Sequence, residues 1–130
     1  MQAGKYYVGD LCYVLGDRWD EVCDLTIKDG KTLEGVFTLS DGTEFAMYGT
    51  AYGDGQYEDR EGRIYFVDSG TLGCVLLSNV DDQDNTDGGH VIQMDRDFST
   101  YEDNGLIVFG DIEIQTSDEE EYWDDEEEDY

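Results

Sequence analysis

The sequence predicts a mainly β domain: an antiparallel sandwich or partly open barrel of about seven short strands, one short N-terminal helix and a disordered acidic C-terminal tail. Three observations carry that expectation. Apolar residues rich in Tyr, Phe, Val and Ile come in short runs, or alternate with polar ones, over most of the chain. Sixteen glycines and no proline punctuate these runs, together with Asp and Asn. A helical period shows only once, around Trp19.

Taken in order, "KYYVGDLCYVL" reads as a strand broken near Gly9-Asp10. In "GDRWDEVCDLTI" the period changes, with Trp19, Val22 and Cys23 at i, i+3 and i+4 and Asp17 placed as an N-cap. "KDGK" turns the chain out of this helix. "GVFTLS" and "TEFAMYGTAY" pair as a hairpin across Asp41-Gly42. "GDGQYEDREG" reads as a polar connection, followed by strands in "RIYFVDSG" and "LGCVLLSN". "VDDQDNTDGG" is a loop, "HVIQMDRDF" a strand and "YEDNG" a turn. "LIVFGDIEIQT" reads as one last strand, in which Ile112 and Ile114 alternate with Asp111, Glu113 and Gln115. Residues 1–116 form the expected domain and 117–130 the flexible tail.

Charge is the strongest signal. The 130 residues hold 34 acids against seven Lys and Arg, a net charge of −27. Ser117 to Tyr130 contributes ten of those acids and no base, so the first 116 residues alone hold −17. Solubility of a small domain needs a net charge of only ~2–8. Self-repulsion at the observed density opposes folding, so another benefit must offset it. Phosphate backbones and anionic membranes would be repelled, which excludes direct nucleic-acid or membrane binding. Three cysteines without a CxxC motif, the lack of an apolar leader and of any long apolar run lead to an expectation of reduced thiols in a cytoplasmic protein.

Several stretches carry candidate chemistry. His90 is the single histidine and Cys12 sits in "GDLCYV". A nucleophile–base pair could form there, with Asp10, Asp54 or Asp68 orienting the imidazole. The surrounding acidity disfavours a thiolate, however, and no nucleophile elbow is present. A ligand-binding or enzymatic centre at Asp10, Cys12, Asp54, Asp68 and His90 therefore stands as the alternative reading. A divalent-cation module is a second, since Asp81, Asp82, Asp84, Asn85 and Asp87 are hard oxygen donors. An EF-hand register begun at Asp82 fails at the glycine (Asp87) and at the bidentate acid (Gln93). The glycines of "YGTAYGDGQY" precede no strand-to-helix transition, and Asp54 would repel a phosphate. No cofactor and no metal is expected.

The acids themselves remain. Asp17, Asp20, Glu21 and Asp24 fall at spacings that place like charges on one helix face, against the helix's own stability. The closing "SDEEEYWDDEEEDY" adds Asp118, Glu119, Glu120, Glu121, Asp124 and Asp125 around Tyr122 and Trp123. Duplex DNA carries one charge per ~1.7 Å of axis, and a rigid body studded with carboxylates can imitate that field. Aromatics flanked by acids suit a positively charged protein surface. The favoured expectation is a non-catalytic, acidic inhibitor that occupies a nucleic-acid-binding surface.

"YYVGDLCYVL", "GTAYGDGQY", "VDSGTLG", "GGHV" and "GLIVFGDIEI" together resemble a pattern in a group of small proteins of bacterial and phage genomes. Members carry GDPCYV where this chain has Leu11, and the resemblance brings no activity with it. In size and charge density alone, the chain resembles the DNA-mimic anti-restriction and anti-CRISPR proteins of phages.

Overall fold

A computed structural model describes residues 1–80 and 88–116. In chain order the strands are β1 (Gly4–Gly9), β2 (Ile27–Lys28), β3 (Lys31–Thr32), β4 (Gly35–Thr38), β5 (Glu44–Gly49), β6 (Gly55–Asp59), β7 (Ile64–Val67), β8 (Thr71–Leu76), β9 (His90–Met94), β10 (Thr100–Asp103), β11 (Leu106–Phe109) and β12 (Ile112–Gln115). One α-helix, α1 (Trp19–Thr26), lies between β1 and β2.

Two five-stranded antiparallel sheets make the body. The first has the order β4-β5-β8-β1-β9 and the second β10-β11-β12-β6-β7, while β2 and β3 form a separate ribbon. Their inner faces enclose one core, in which Tyr6, Val8, Leu72 and Cys74 of the first sheet meet Tyr65, Ile107, Phe109 and Ile114 of the second. Side chains of the opposite parity, Tyr7, Phe45, Met47 and Val75, build a second core under Leu11, Leu15 and Val22 of the helical segment. The central strands of the first sheet are thus buried on both faces, which explains unbroken apolar runs such as "KYYVG" and "EFAMYG". Gly73 is needed at the middle of β8, because a Cβ there would collide with the Ala46 carbonyl oxygen and Leu11.

The second sheet turns one face to solvent, and its last strand shows the expected alternation: Ile112 and Ile114 are buried, while Glu113 and Gln115 are half-exposed. Along one seam the sheets touch through backbone, Phe66 N–H donating to the Gly88 carbonyl at 2.9 Å. Across the other, the hydroxyls of Tyr48 and Thr100 are 2.7 Å apart. Among the described residues no ladder continues round either seam, so the architecture is a sandwich and not a closed barrel.

Four local expectations change. "GDGQYEDREG" contains β6, whose inward positions are Tyr57 and the buried acid Asp59, so its composition looks like a loop's. "YEDNG" contains the edge strand β10, which reverses at Asn104-Gly105, both at positive φ (51° and 91°), as a tight hairpin turn requires. "LIVFGDIEIQT" folds back at Gly110-Asp111 into β11 and β12. Finally, α1 starts at Trp19, with Asp17 in a preceding 3-10 turn and no side-chain cap. Asp20 and Glu21 in the first turn complement the helix dipole in its place. No helix among the described residues is long and apolar enough to cross a membrane.

Candidate functional site

Asp10 follows β1, where the chain leaves the sheet for a 3-10 turn at Leu11–Tyr13. It is fully buried, a position that a carboxylate tolerates only with its lone pairs taken. Its Oδ1 accepts from Cys12 N–H at 3.0 Å and from the Ser69 hydroxyl at 2.8 Å. Its Oδ2 accepts from the backbone N–H groups of Asp68 and Ser69, each at 2.7 Å. Asp10 therefore ties the end of β1 to the connection between β7 and β8. Asp10, Cys12 and Asp68 do come together, as a structural lock.

His90 stands apart from that lock. It pairs with Val8 at the start of β9, its Nε2 lies 2.9 Å from the Ile64 carbonyl oxygen, and its ring meets Tyr65 edge-on at 5.1 Å. Among the described residues it has no hydrogen bond to Cys12, Asp10, Asp54 or Asp68. Asp54 is exposed in the turn before β6. Burial, the hydrogen bond to Asp10 and the charges of Asp10 and Asp68 push the Cys12 thiol up to about 12. Such a thiol carries negligible thiolate near neutrality. Burial also raises Cys23 and Cys74. All three thiols should thus react slowly with an aromatic disulfide reagent at pH 8, and rapidly once guanidinium unfolds the chain. A fast native thiol that disappears in Cys12→Ala would contradict this account of the site.

The acidic surface is the larger feature. Of the twenty acids among the described residues, fifteen are exposed, three half-buried and two (Asp10 and Asp59) buried. On the helical segment Asp17, Asp20 and Asp24 face solvent. Glu21 does not stand free with them: it accepts from Ser40 N–H at 2.7 Å and Ser40 Oγ at 3.1 Å, fastening α1 to the β4–β5 turn. Arg18, Arg60 and Arg63 pair with Asp41, Glu113 and Asp59, leaving most exposed carboxylates outside any ion pair with an arginine. Among the described residues no three His, Cys, Asp or Glu side chains gather as a metal site. The acidic loop Asp81, Asp82, Asp84, Asn85 and Asp87 lies outside the described residues. So do the tail positions Asp118, Glu119, Glu120, Glu121, Tyr122, Trp123, Asp124 and Asp125.

Sequence pattern marks neither the burial of Asp59 nor a groove beside the end of β9, whose walls come from segments far apart in the chain. Only strand register brings those segments together. Comparison with family models, curated proteins and solved structures finds no match for this chain.

Proposed function

We propose that this protein is a non-catalytic acidic inhibitor that occupies the nucleic-acid-binding surface of a host defence or DNA-handling protein, in the manner of phage anti-restriction and anti-CRISPR DNA mimics. The observation that carries the reading is the uncompensated field: −17 on the body without its tail, with fifteen exposed acids on a two-sheet scaffold. A rigid carrier matters, because charges held in place keep their pattern without an ordering cost on binding. Long-range attraction steers a basic partner to this surface, giving fast, salt-sensitive association. Asp17, Asp20 and Asp24 supply one face, and the acids of 117–130 with Tyr122 and Trp123 add to the contact. The host cytoplasm is where such a partner would be met.

The immobilised chain is expected to retain nucleic-acid-binding proteins from a bacterial lysate at ~50 mM salt, and duplex DNA should release them. Deleting 117–130 should weaken retention without abolishing it, since the body keeps most of the field. Recovery of no nucleic-acid-binding protein would overturn the proposal.

A further inference from the structure

A groove of about 620 Å³ opens between the end of β9, the segment Asp95–Ser99 and the strands β10 to β12. Ile92, Met94, Val108 and Ile112 lie under it, all four buried, and Ile92, Met94 and Ile112 pack into the core between the sheets. Two aromatic residues flank them: Phe98, whose ring is fixed edge-on against Tyr6 at 5.1 Å, and Tyr101, 51% exposed at the surface. Such a volume suits a side chain or short segment, and the lining that solvent reaches is divided between polar and apolar groups.

Charge decides what kind of segment. Glu61, Asp95, Asp97 and Asp111 contribute four exposed carboxylates to the lining. Only Arg63 and Arg96 oppose them. Arg63 is already committed, with Nη1 2.8 Å from the buried Asp59 carboxylate and 3.6 Å from Glu61. The groove is therefore net negative, with mixed polar and apolar walls. A second concavity of about 500 Å³ shares Asp97, Phe98 and Ser99 and adds Glu44, together with Met1, whose ammonium donates to the Phe98 carbonyl oxygen at 2.6 Å. A small anion would meet this excess of carboxylates, and a second copy of a chain carrying −27 would be repelled.

We infer that this groove is a docking site for a basic peptide segment of a protein partner, one that places an arginine or lysine beside an apolar side chain. The aliphatic stem of the basic residue covers apolar surface while its head meets the rim acids, and the Tyr101 ring adds a face for the cation. This inference rests on the basic-partner reading above and specifies where such a partner is anchored. Among the described residues, the groove does not include the helix acids Asp17, Asp20, Glu21 and Asp24.

The test is amide chemical-shift titration of the full chain with a short leucine- and arginine-containing peptide of positive charge. Its counterpart with each arginine replaced by neutral citrulline serves as control. Expected are shifts concentrated at Gln93, Ser99, Val108 and Gly110, absent with the citrulline peptide. Affinity should fall roughly tenfold in Tyr101→Ala, the scale for losing an aromatic anchor, and also fall in Asp111→Asn, an exposed change that spares the fold. Shifts spread over the α1 acids with the groove amides unmoved would overturn the groove and leave the basic-partner reading standing. Equal binding of the citrulline peptide, or groove shifts produced by inorganic phosphate, would overturn its assignment to basic segments. No shift anywhere at low salt would overturn both.

Discussion

Asp59→Ala is expected to lower stability by about 2–4 kcal/mol, because the buried Tyr65 hydroxyl and the turn amides lose their acceptor at about 1–3 kcal/mol for each buried donor left unpaired, while Arg63, 33% exposed, keeps water and Glu61 within reach. The Asp59 side chain has no exposed surface. Its Oδ2 accepts from Arg63 Nη1 and from the Tyr65 hydroxyl, both at 2.8 Å. Its Oδ1 accepts from the backbone N–H groups of Glu61 and Arg63, both at 2.9 Å. One carboxylate thus closes the β6–β7 turn and satisfies the hydroxyl of a fully buried tyrosine. Truncation leaves these donors without this acceptor, and a typical domain has only about 5–15 kcal/mol in total. The guanidinium midpoint should drop sharply, and an unchanged midpoint would refute the assignment. The same carboxylate sets an acid limit. Burial works against its charge, but the bonds from Arg63 and Tyr65 outweigh burial and hold its pKa below the usual range. A lowered folded value means that the stabilisation is complete above the ordinary carboxylate pKa of about 3.9. It is lost as pH falls through the folded value.

Asp10→Ala should cost roughly 2–4 kcal/mol, given about 1–3 for each buried donor left unpaired and partial rehydration of the exposed Asp68-Ser69 turn. The loss is local as well as global. Cys12, Asp68 and Ser69 amides all end on this carboxylate, so their hydrogen exchange should accelerate more than that of β8. Asp10→Asn keeps one acceptor oxygen and turns a donor toward the others, so it should fall between. Wild-type protection at these three amides in Asp10→Ala would contradict the lock.

The strands legible in the sequence were those whose inward residues are apolar. The hairpin of β4 and β5 across Asp41-Gly42 follows from its pattern, with Gly42 at φ 91° in the turn. β6 and β10 were hidden because their outward positions carry Gln56, Glu58, Tyr101 and Asp103, and because β6 points an acid inward. Local periodicity cannot tell a buried acid with four partners from a loop acid. The second core was present in the unbroken runs around Tyr6–Val8 and Phe45–Tyr48, yet only the packing of α1 on the first sheet gives those runs their meaning. The candidate site divides in the same way. Net charge is a property of composition and could be counted, whereas the bond from Glu21 to Ser40 spans two elements and depends on the helix's rotation. The groove needs Asp97, Tyr101 and Asp111 from three segments, and no spacing rule joins them.

In the proposed function, a fixed acidic field substitutes for nucleic acid on a basic protein. The most direct measurement is the affinity of a retained nucleic-acid-binding protein for this chain between ~50 and ~200 mM salt, with and without duplex DNA. A loss of at least about tenfold is expected as salt rises and screening shortens the reach of the charges. DNA and this chain should also exclude each other. An affinity indifferent to salt, or a stable ternary complex with DNA, would contradict the proposed function.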